Sequence, residues 1–454
     1  MPTKDVKKTI GTLAEGVTKN QLNYAIKAAN KKLFGSGVLS LGELEEWAAI
    51  KSRIPQDNRT AFVLDKDIDH ANAKFRFLVS SRQLLSLVGE LRIIAADCTF
   101  KTTLEGFPLL VVCMVDEMRH AHPIAFGCLS NQSASDYEFA FNCIHETCAK
   151  IGIKLDALEF FISDGETALK SAAKKVFGGI KTINCYFHLK QNLKKYFQKF
   201  KIQADLQSSI SDGIDKLQIA PTQKHYESAV QLFMTDYDSV PGFTDFFAKY
   251  VNNSNFAGWH EAFAPGVPST NNAVEAINKS IKYNALHRQK QTLATFKTLL
   301  LRLVETYGDP ARLVHRHRVF GIQEQREAWR FLNSGKTTRP VRCGIHVYMF
   351  IPGSEREEVS MNEIRRFMVP KYTSFEDYKV DLNTIYRVSM PDENYMQWNC
   401  TCRIFFKNNI CSHIVIAAVK QGLYQLPPEA DPTIIGRKKP TGRPKKMSKA
   451  LVIE

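Results

Sequence analysis

Short apolar runs separated by polar breaks distinguish residues 91–129 from the sequence before them. Leu91–Ala96, Leu109–Val115 and Pro123–Leu129 are rich in aliphatic side chains and carry few charges. Runs of this length predict β-strands, and the connections between them are too short for helical crossovers. We therefore expect three consecutive strands that pair as an antiparallel meander.

A helical period replaces the short runs after residue 133. Apolar side chains recur at spacings of four, three, four and three residues, at Tyr137, Phe141, Ile144, Cys148 and Ile151. This spacing predicts an amphipathic helix, with Ser135 and Glu138 as a capping box at its start and Gly152 at its end.

Two more apolar runs, 158–162 and 182–187, lie on either side of a helical pattern that opens at Asp164 and Gly165. The order is three strands, a helix, a strand, a helix and a strand. This order predicts an α/β fold in which helices cover a sheet of mixed strand direction.

The composition favours a soluble chain with a polyanionic partner. Its 454 residues include 44% hydrophobic and 24% charged side chains, which is typical of about two to four folded domains. No apolar run reaches the length of a membrane helix, and the start MPTKDVKKTIGT lacks the apolar core of a signal peptide. We therefore expect no membrane association and no secretion. The net charge of +15 points to nucleic acid before other polyanions.

Three acidic residues lie where a sheet could gather them. Asp97 follows the first apolar run, Asp164 follows the fourth, and Glu275 lies one turn into a helix. If the first and fourth strands are neighbours, the two aspartates share one edge, and three close carboxylates suit two Mg²⁺ ions. Taken singly, each residue has a simpler explanation as a turn former, a helix cap or a solvated side chain.

Four ordered motifs carry a resemblance to a known family: IIAADCTFKTT, ISDGETALKSAAKKVF, INCYFHLKQNL and PSTNNAVEAINKSI. Together they resemble the catalytic domain of Mutator-like element (MULE) transposases, whose fold is RNase H-like. The resemblance implies that Asp97, Asp164 and Glu275 form the metal-binding triad of a DDE-type transposase. It also matches Cys185 and His188 to a Cys-x-x-His motif. These two residues either support the active site or are a buried thiol and a core histidine.

A compact Cys and His pattern lies near the end of the chain. In WNCTCRIFFKNNICSHIVIAAV, the pairs Cys400/Cys402 and Cys411/His413 are separated by eight residues. Four soft ligands this close can surround one Zn²⁺ tetrahedrally, and a closed set of four predicts a structural site. The pattern resembles the SWIM zinc finger, which commonly follows MULE catalytic domains.

The last segment is rich in proline, lysine and arginine. Arg443, Lys445 and Lys446 lie in a partial resemblance to an AT-hook, in which Thr441 replaces the first arginine of the motif. A nuclear-localisation or nonspecific phosphate-binding tail is the alternative, and both interpretations predict the nucleus. We expect this tail to be disordered until it binds.

The pattern and the resemblances together give seven segments. We expect an N-terminal helical region (1–88), an RNase H-like core (89–200 and 267–310) with a helical insertion (201–266), a linking region (311–390), a SWIM zinc finger (391–424) and a basic tail (425–454).

The expected function is metal-dependent cleavage and strand transfer of transposon ends. The cofactors would be structural Zn²⁺ and catalytic Mg²⁺ or Mn²⁺, and the partners would be double-stranded DNA and further copies of the chain. The alternatives are a catalytically silent, transposase-derived DNA-binding regulator and a sequence-independent nuclease.

Overall fold

The computed structural model describes residues 38–313 and 317–433, together with Thr18, Gln21 and Tyr24. The predicted DNA-binding residues Arg443, Lys445 and Lys446 lie outside this part of the chain. None of the helices described has the length and apolar character needed to span a membrane.

A seven-stranded mixed sheet lies at the centre of residues 62–184. Its strands are β1 (Phe62–Asp69), β2 (Lys74–Ser80), β3 (Ile93–Thr99), β4 (Leu109–Val115), β5 (Ala121–Leu129), β6 (Phe160–Ser163) and β7 (Lys181–Asn184). They are arranged in the order β1-β2-β5-β4-β3-β6-β7. Strands β3, β4 and β5 form the predicted antiparallel meander, and β6 and β7 run parallel to β3. The predicted mixed α/β, RNase H-like sheet is therefore confirmed.

The predicted N-terminal helical region (1–88) is contradicted within residues 38–88, which are the part of it that the structure describes continuously. Helices α1 (Leu41–Lys51) and α2 (Arg82–Glu90) flank β1 and β2, which form a hairpin and extend the sheet beside β5. Strand β1 lies at the edge of the sheet, and its last five residues, DKDID, are exposed or only half-buried. Those charges hide the apolar alternation that a sequence pattern needs to indicate a strand.

Helices cover both faces of the sheet. Helices α3 (Ala134–Lys150) and α4 (Thr167–Phe177) pack against one face, which includes Ile94 and Phe161. Helices α1, α9 (Asn272–Ser280) and α10 (Leu293–Tyr307) pack against the other face, which includes Ala95 and Ile162.

The capping box of α3 differs from the predicted one. Ser133 and Asp136 cap this helix, two residues before Ser135 and Glu138. Glu138 instead forms an ion pair with Lys175 of α4, with 2.6 Å between Oε2 and Nζ.

The predicted helical insertion is present and has its own apolar core. Helix α5 (Tyr186–Phe200) leads into α6 (Ala204–Gln218), α7 (Gln223–Asp236) and α8 (Phe243–Asn252). Trp259, Phe233 and Tyr250 are buried among them.

The segment predicted as a linking region folds together with its neighbours. After α11 (Ile322–Leu332), strands β8 (Arg339–Cys343), β9 (His346–Pro352) and β10 (Ile385–Met390) pair with β11 (Asn399–Cys400) in a four-stranded antiparallel sheet. Helices α12 (Met361–Met368) and α13 (Phe375–Asp381) lie between β9 and β10, while α14 (Arg403–Asn408) and α15 (Ser412–Lys420) follow β11. Since Phe375 and Tyr378 of α13 join the core of the helical insertion, this segment is more than a linker.

Candidate active site and zinc centre

The sheet places Asp97 and Asp164 at the same level of two neighbouring strands. Ala95 of β3 pairs with Ile162 of the parallel strand β6, and the two aspartates follow two residues later on each chain. Because side chains alternate along a strand, Asp97 lies on the face of Ala95, against which α9 packs. Helix α9 carries Glu275 in its first turn. The three predicted carboxylates therefore come from elements that meet on one face.

The electrostatics of Asp97 reflect these neighbours. Burial and the charges of Asp164 and Glu275 together raise the pKa of Asp97 to about 7, although the hydrogen bond from Asn278 lowers it. A carboxyl group that both lacks water and faces other carboxylates is costly to ionise. A divalent cation at this position would remove that cost.

The three carboxylates do not converge tightly. In the described part of the chain, the only group of three or more Cys, His, Asp or Glu side chains with ligand atoms within 4.8 Å of one another is the Cys and His cluster near residue 400. Asp97 Oδ2 accepts a hydrogen bond from Asn278 Nδ2 at 2.6 Å, and Asp164 Oδ1 accepts one from the Glu166 amide at 3.0 Å. Each aspartate is thus held by its own donor.

The sequence interpretation missed two asparagines on α9. Asn271 is the N-cap residue of α9 and is 2% exposed, and Asn278 in the same helix is 5% exposed. Asn271 Nδ2 donates to the Ala96 carbonyl at 3.3 Å, while Asn278 binds Asp97. The Oδ1 atoms of both residues are buried without a hydrogen-bond partner. The available signal was the spacing of Asn271, Glu275 and Asn278, which puts all three on one helix face.

Lys170 of α4 is a second residue that the sequence did not reveal. Its side chain is fully buried, and Nζ donates to Asn184 Oδ1 and to the Asn255 carbonyl, both at 2.6 Å. Burial lowers the pKa of Lys170 to about 7, and the nearby Asp164 charge opposes this shift. Lys170 therefore joins the sheet to the helical insertion directly behind Asp164.

Cys185 lies between the sheet and the start of α9. Its buried Sγ accepts a hydrogen bond from the Asn271 amide at 3.2 Å. Burial raises the pKa of this thiol. His188 is half-buried, and its Nδ1 has no hydrogen-bond partner. The Cys185 contact fits a supporting position at the active site, and metal binding by the pair stays a prediction.

Cys400, Cys402, Cys411 and His413 form one cluster, with all four ligand atoms within 4.8 Å of one another. Cys400 lies on β11, and Cys402 and Cys411 are the N-cap residues of α14 and α15. Cys400 Sγ and His413 Nδ1 are 3.7 Å apart. Tetrahedral Zn²⁺ with bonds of about 2.3 Å to sulfur and about 2.0 Å to nitrogen would separate them by about 3.5 Å. The cluster fits zinc.

The ionisation of the cysteines also fits a metal site. Burial raises the pKa of Cys400 and Cys411. Although burial also disfavours the Cys402 thiolate, hydrogen bonds from the other ligands lower the pKa of Cys402. Three crowded thiols cannot all ionise without a cation, so zinc binding would release protons.

Comparison with protein-family models finds a match that spans strands β3 to β7 of the central sheet. Residues 93–192 match the MULE transposase domain. This segment is similar to that domain. The comparison with curated proteins finds no match. The domain supports a transposase-type function with DNA as its partner, and the Cys and His cluster is compatible with a C-terminal SWIM zinc module.

The matched segment covers part of the candidate site. It spans β3 to the first half of α5 and includes Asp97, Asp164, Cys185 and His188. Glu275 and the zinc cluster lie beyond it. Asp97, Asp164 and Glu275 offer the oxygen donors that Mg²⁺ and Mn²⁺ prefer, and the free Asn278 Oδ1 adds a further buried acceptor. The residues present therefore fit a divalent cation.

The segment that carries the Cys and His cluster contacts the segment that matches the MULE transposase domain. Arg318 donates to the Trp398 carbonyl at 2.7 Å and to Asn409 Oδ1 at 2.9 Å. Asn409, which follows α14, donates through Nδ2 to the Glu117 carbonyl in the β4–β5 turn at 2.8 Å. The segment with the Cys and His cluster thus contacts the hairpin of β4 and β5, whose strand β4 pairs with β3.

Proposed function

We propose that this chain is a DNA transposase of the Mutator-like type that cleaves transposon ends and joins them to target DNA. Its DDE-type triad would be Asp97, Asp164 and Glu275. The strongest support comes from the pairing of the parallel strands β3 and β6, which brings Asp97 and Asp164 to the same end of the sheet. Glu275 lies on α9, the helix that packs against β3.

The triad would hold two Mg²⁺ or Mn²⁺ ions. When bound, such ions activate the attacking oxygen and stabilise the leaving oxygen of an in-line phosphoryl transfer. Asn278 orients Asp97 through its 2.6 Å hydrogen bond, and the Glu166 amide orients Asp164. Lys170 supplies a buried donor that holds β7 and the insertion in position behind Asp164.

The zinc site would have a structural role. Its four protein ligands leave no open coordination position, so it would stabilise the fold instead of taking part in catalysis. Through Arg318 and Asn409, the zinc module would hold the β4–β5 hairpin in place. The chain's excess of basic residues favours DNA binding, and a nuclear protein that acts as a homo-oligomer is part of the same proposal.

The experiment is a cleavage and joining assay. Purified protein is incubated with Mg²⁺ or Mn²⁺ and with DNA that carries candidate transposon ends. We expect nicking and strand joining that Asp97→Asn abolishes, with a loss on the order of 10³-fold or more. Asp156→Asn, which alters an exposed aspartate in the loop after α3, is the matched control.

Two outcomes would contradict the proposal. Tight binding of DNA without any cleavage favours the catalytically silent regulator. Cleavage without preference for transposon ends favours a sequence-independent nuclease.

A further inference from the structure

The chain bends sharply just after the helix that carries Glu275. Helix α9 continues into a π-helical turn over Ile281–Ala285. His287 and Arg288 then adopt left-handed conformations, with φ of 48° and 58°. Such strained positions in residues other than glycine, like π-helical turns, concentrate at functional sites. The bend creates a concave surface where a regular helix would leave a convex one.

A cavity of about 700 Å³ lies at this bend, and we name it the Tyr283 cavity. Four basic side chains and one tyrosine line it: Lys101, Lys279, Lys282, Arg288 and Tyr283. No acidic side chain is found among the described residues of its lining. Four positive charges around one concavity attract phosphate groups strongly.

The cavity adjoins the candidate active site. Lys101 follows the end of β3 by two residues, and Lys279 directly follows Asn278, the residue that binds Asp97. Lys282 is close enough to Asp97 for the carboxylate to oppose the effect of burial on the pKa of the lysine. A DNA strand whose phosphate lies at Asp97 would therefore run directly into the Tyr283 cavity.

Tyr283 supplies the stacking surface. Its side chain is 42% exposed, so the ring is accessible to a ligand. The Arg288 guanidinium lies over the ring, with Cζ 5.2 Å from the ring centroid. An aromatic ring paired with arginine is a typical platform for a nucleic-acid base. A base would either extend this stack or take the place of the guanidinium.

The occupant that these features favour is an unpaired nucleotide. Both faces of a base inside a duplex are already covered by its neighbours, so only an unpaired base can stack on a side chain. A volume of about 700 Å³ gives room for a nucleotide or two. A face that served only as a solvated basic surface would not require an exposed ring at its centre.

We propose that the Tyr283 cavity binds an unpaired nucleotide of the DNA strand next to the phosphate that is cleaved. Tyr283 stacks on the base, and Lys101, Lys279 and Lys282 bind the flanking phosphates. The inference rests on the proposed function, because it takes DNA to lie at the carboxylates. It adds that the protein prefers DNA whose end is frayed or single-stranded.

The test measures binding without catalysis. Protein carrying Asp97→Asn is titrated into a short blunt duplex and into the same duplex with a single-stranded 3′ overhang that contains 2-aminopurine. We expect the overhang to be bound about tenfold more tightly, equivalent to about 1.4 kcal/mol, and 2-aminopurine fluorescence to be quenched. Tyr283→Ala should remove both effects, whereas Tyr283→Phe, which keeps the ring, should retain them.

Arg288→Ala should weaken the overhang preference, and Arg339→Ala, at an exposed arginine of β8, should leave it unchanged. If the Asp97→Asn protein with an intact Tyr283 binds both DNAs with equal affinity, the inference is overturned and the proposed function is not affected. An overhang preference that survives Tyr283→Ala would also overturn it. Failure to bind either DNA would overturn the inference and the proposed function together. Base quenching in a protein that never cleaves DNA would support the inference and contradict the proposed chemistry.

Discussion

The two metal-site candidates of this chain are built in opposite ways. The zinc ligands come from fourteen consecutive residues, Cys400–His413, and their atoms already lie within 4.8 Å of one another. The carboxylates come from β3, the end of β6 and α9, and they share a face without converging. Thiols and imidazole can crowd together as neutral groups, whereas ionised carboxylates repel one another until cations are present. A site built from charged groups therefore depends on the whole fold and on its metal.

The largest predicted effect is the loss of zinc binding and of folded structure when one ligand of the Cys and His cluster is replaced. Cys411→Ser should abolish zinc binding and unfold the segment from β10 to α15, because metal binding of about 10 kcal/mol stabilises so small a module. Metal analysis should find one zinc per chain in the parent protein and none in the variant. Circular dichroism would follow the loss of structure.

Cys343→Ser is the matched control for this zinc experiment. Cys343 is an exposed free cysteine in β8, outside the cluster. If the control and Cys411→Ser bind the same amount of zinc, the cluster is not the zinc site.

The next largest effect is a change of several kcal/mol in the free energy of unfolding with pH, and it arises from Asp97. The pKa of Asp97 is about 7 in the folded state, whereas the ordinary pKa of an aspartate, which applies to the unfolded chain, is 3.8. The folded state therefore holds this proton while the unfolded state loses it, and the contribution to stability falls as pH rises from about 4 to 7. A shift of this size corresponds to about 4 kcal/mol, and the contribution is constant above pH 7.

Unfolding of the zinc-loaded protein by urea, without added Mg²⁺ or Mn²⁺ and at several pH values, measures this effect. The stability of the parent protein relative to Asp97→Asn should decrease across that pH window, and Mg²⁺ should restore it at neutral pH by binding the folded state. A difference that does not vary with pH would show that Asp97 is not electrostatically strained.

The smallest predicted effect tests whether zinc binding depends on the contacts that Arg318 makes with the zinc module. Arg318→Ala removes two hydrogen bonds to the zinc module and a contact with the Phe405 ring, and should cost about 2 kcal/mol. Zinc content should stay at one per chain while the melting temperature falls. Arg330→Ala, at an exposed arginine of α11, should change neither quantity. Zinc loss in Arg318→Ala would mean that docking and metal binding are one event.

The sequence predicted best where the signal is local. The meander, the helical insertion and the Cys400–His413 cluster all follow from periodicity or spacing within short segments. The placement of Asp97 beside Asp164 was expected only on the condition that the first and fourth apolar runs form neighbouring strands, and the parallel pairing of β3 with β6 meets that condition.

The sequence did not predict the features that depend on contacts between distant parts of the chain. Strand β1 was missed because charges at the edge of a sheet mask the alternation of apolar residues. Strand β2 lies inside the sheet and is mostly buried, so its apolar residues Phe75 and Phe77–Val79 were a signal that the sequence interpretation did not use. Asn271, Asn278 and Lys170 are polar residues that only the packed structure buries, since their partners lie far away in the chain. The π-helical turn behind the Tyr283 cavity likewise has no sequence pattern that separates it from an ordinary helix end.

The central claim is that Asp97, Asp164 and Glu275 act together as a site for divalent cations. The most direct measurement is Mn²⁺ binding to the zinc-loaded protein, followed by electron paramagnetic resonance at neutral pH. We expect two Mn²⁺ per chain in the parent protein and in the Asp156→Asn control, and a loss of one or both in Asp97→Asn, Asp164→Asn and Glu275→Gln. Equal Mn²⁺ binding by the parent protein and all three variants would contradict the account.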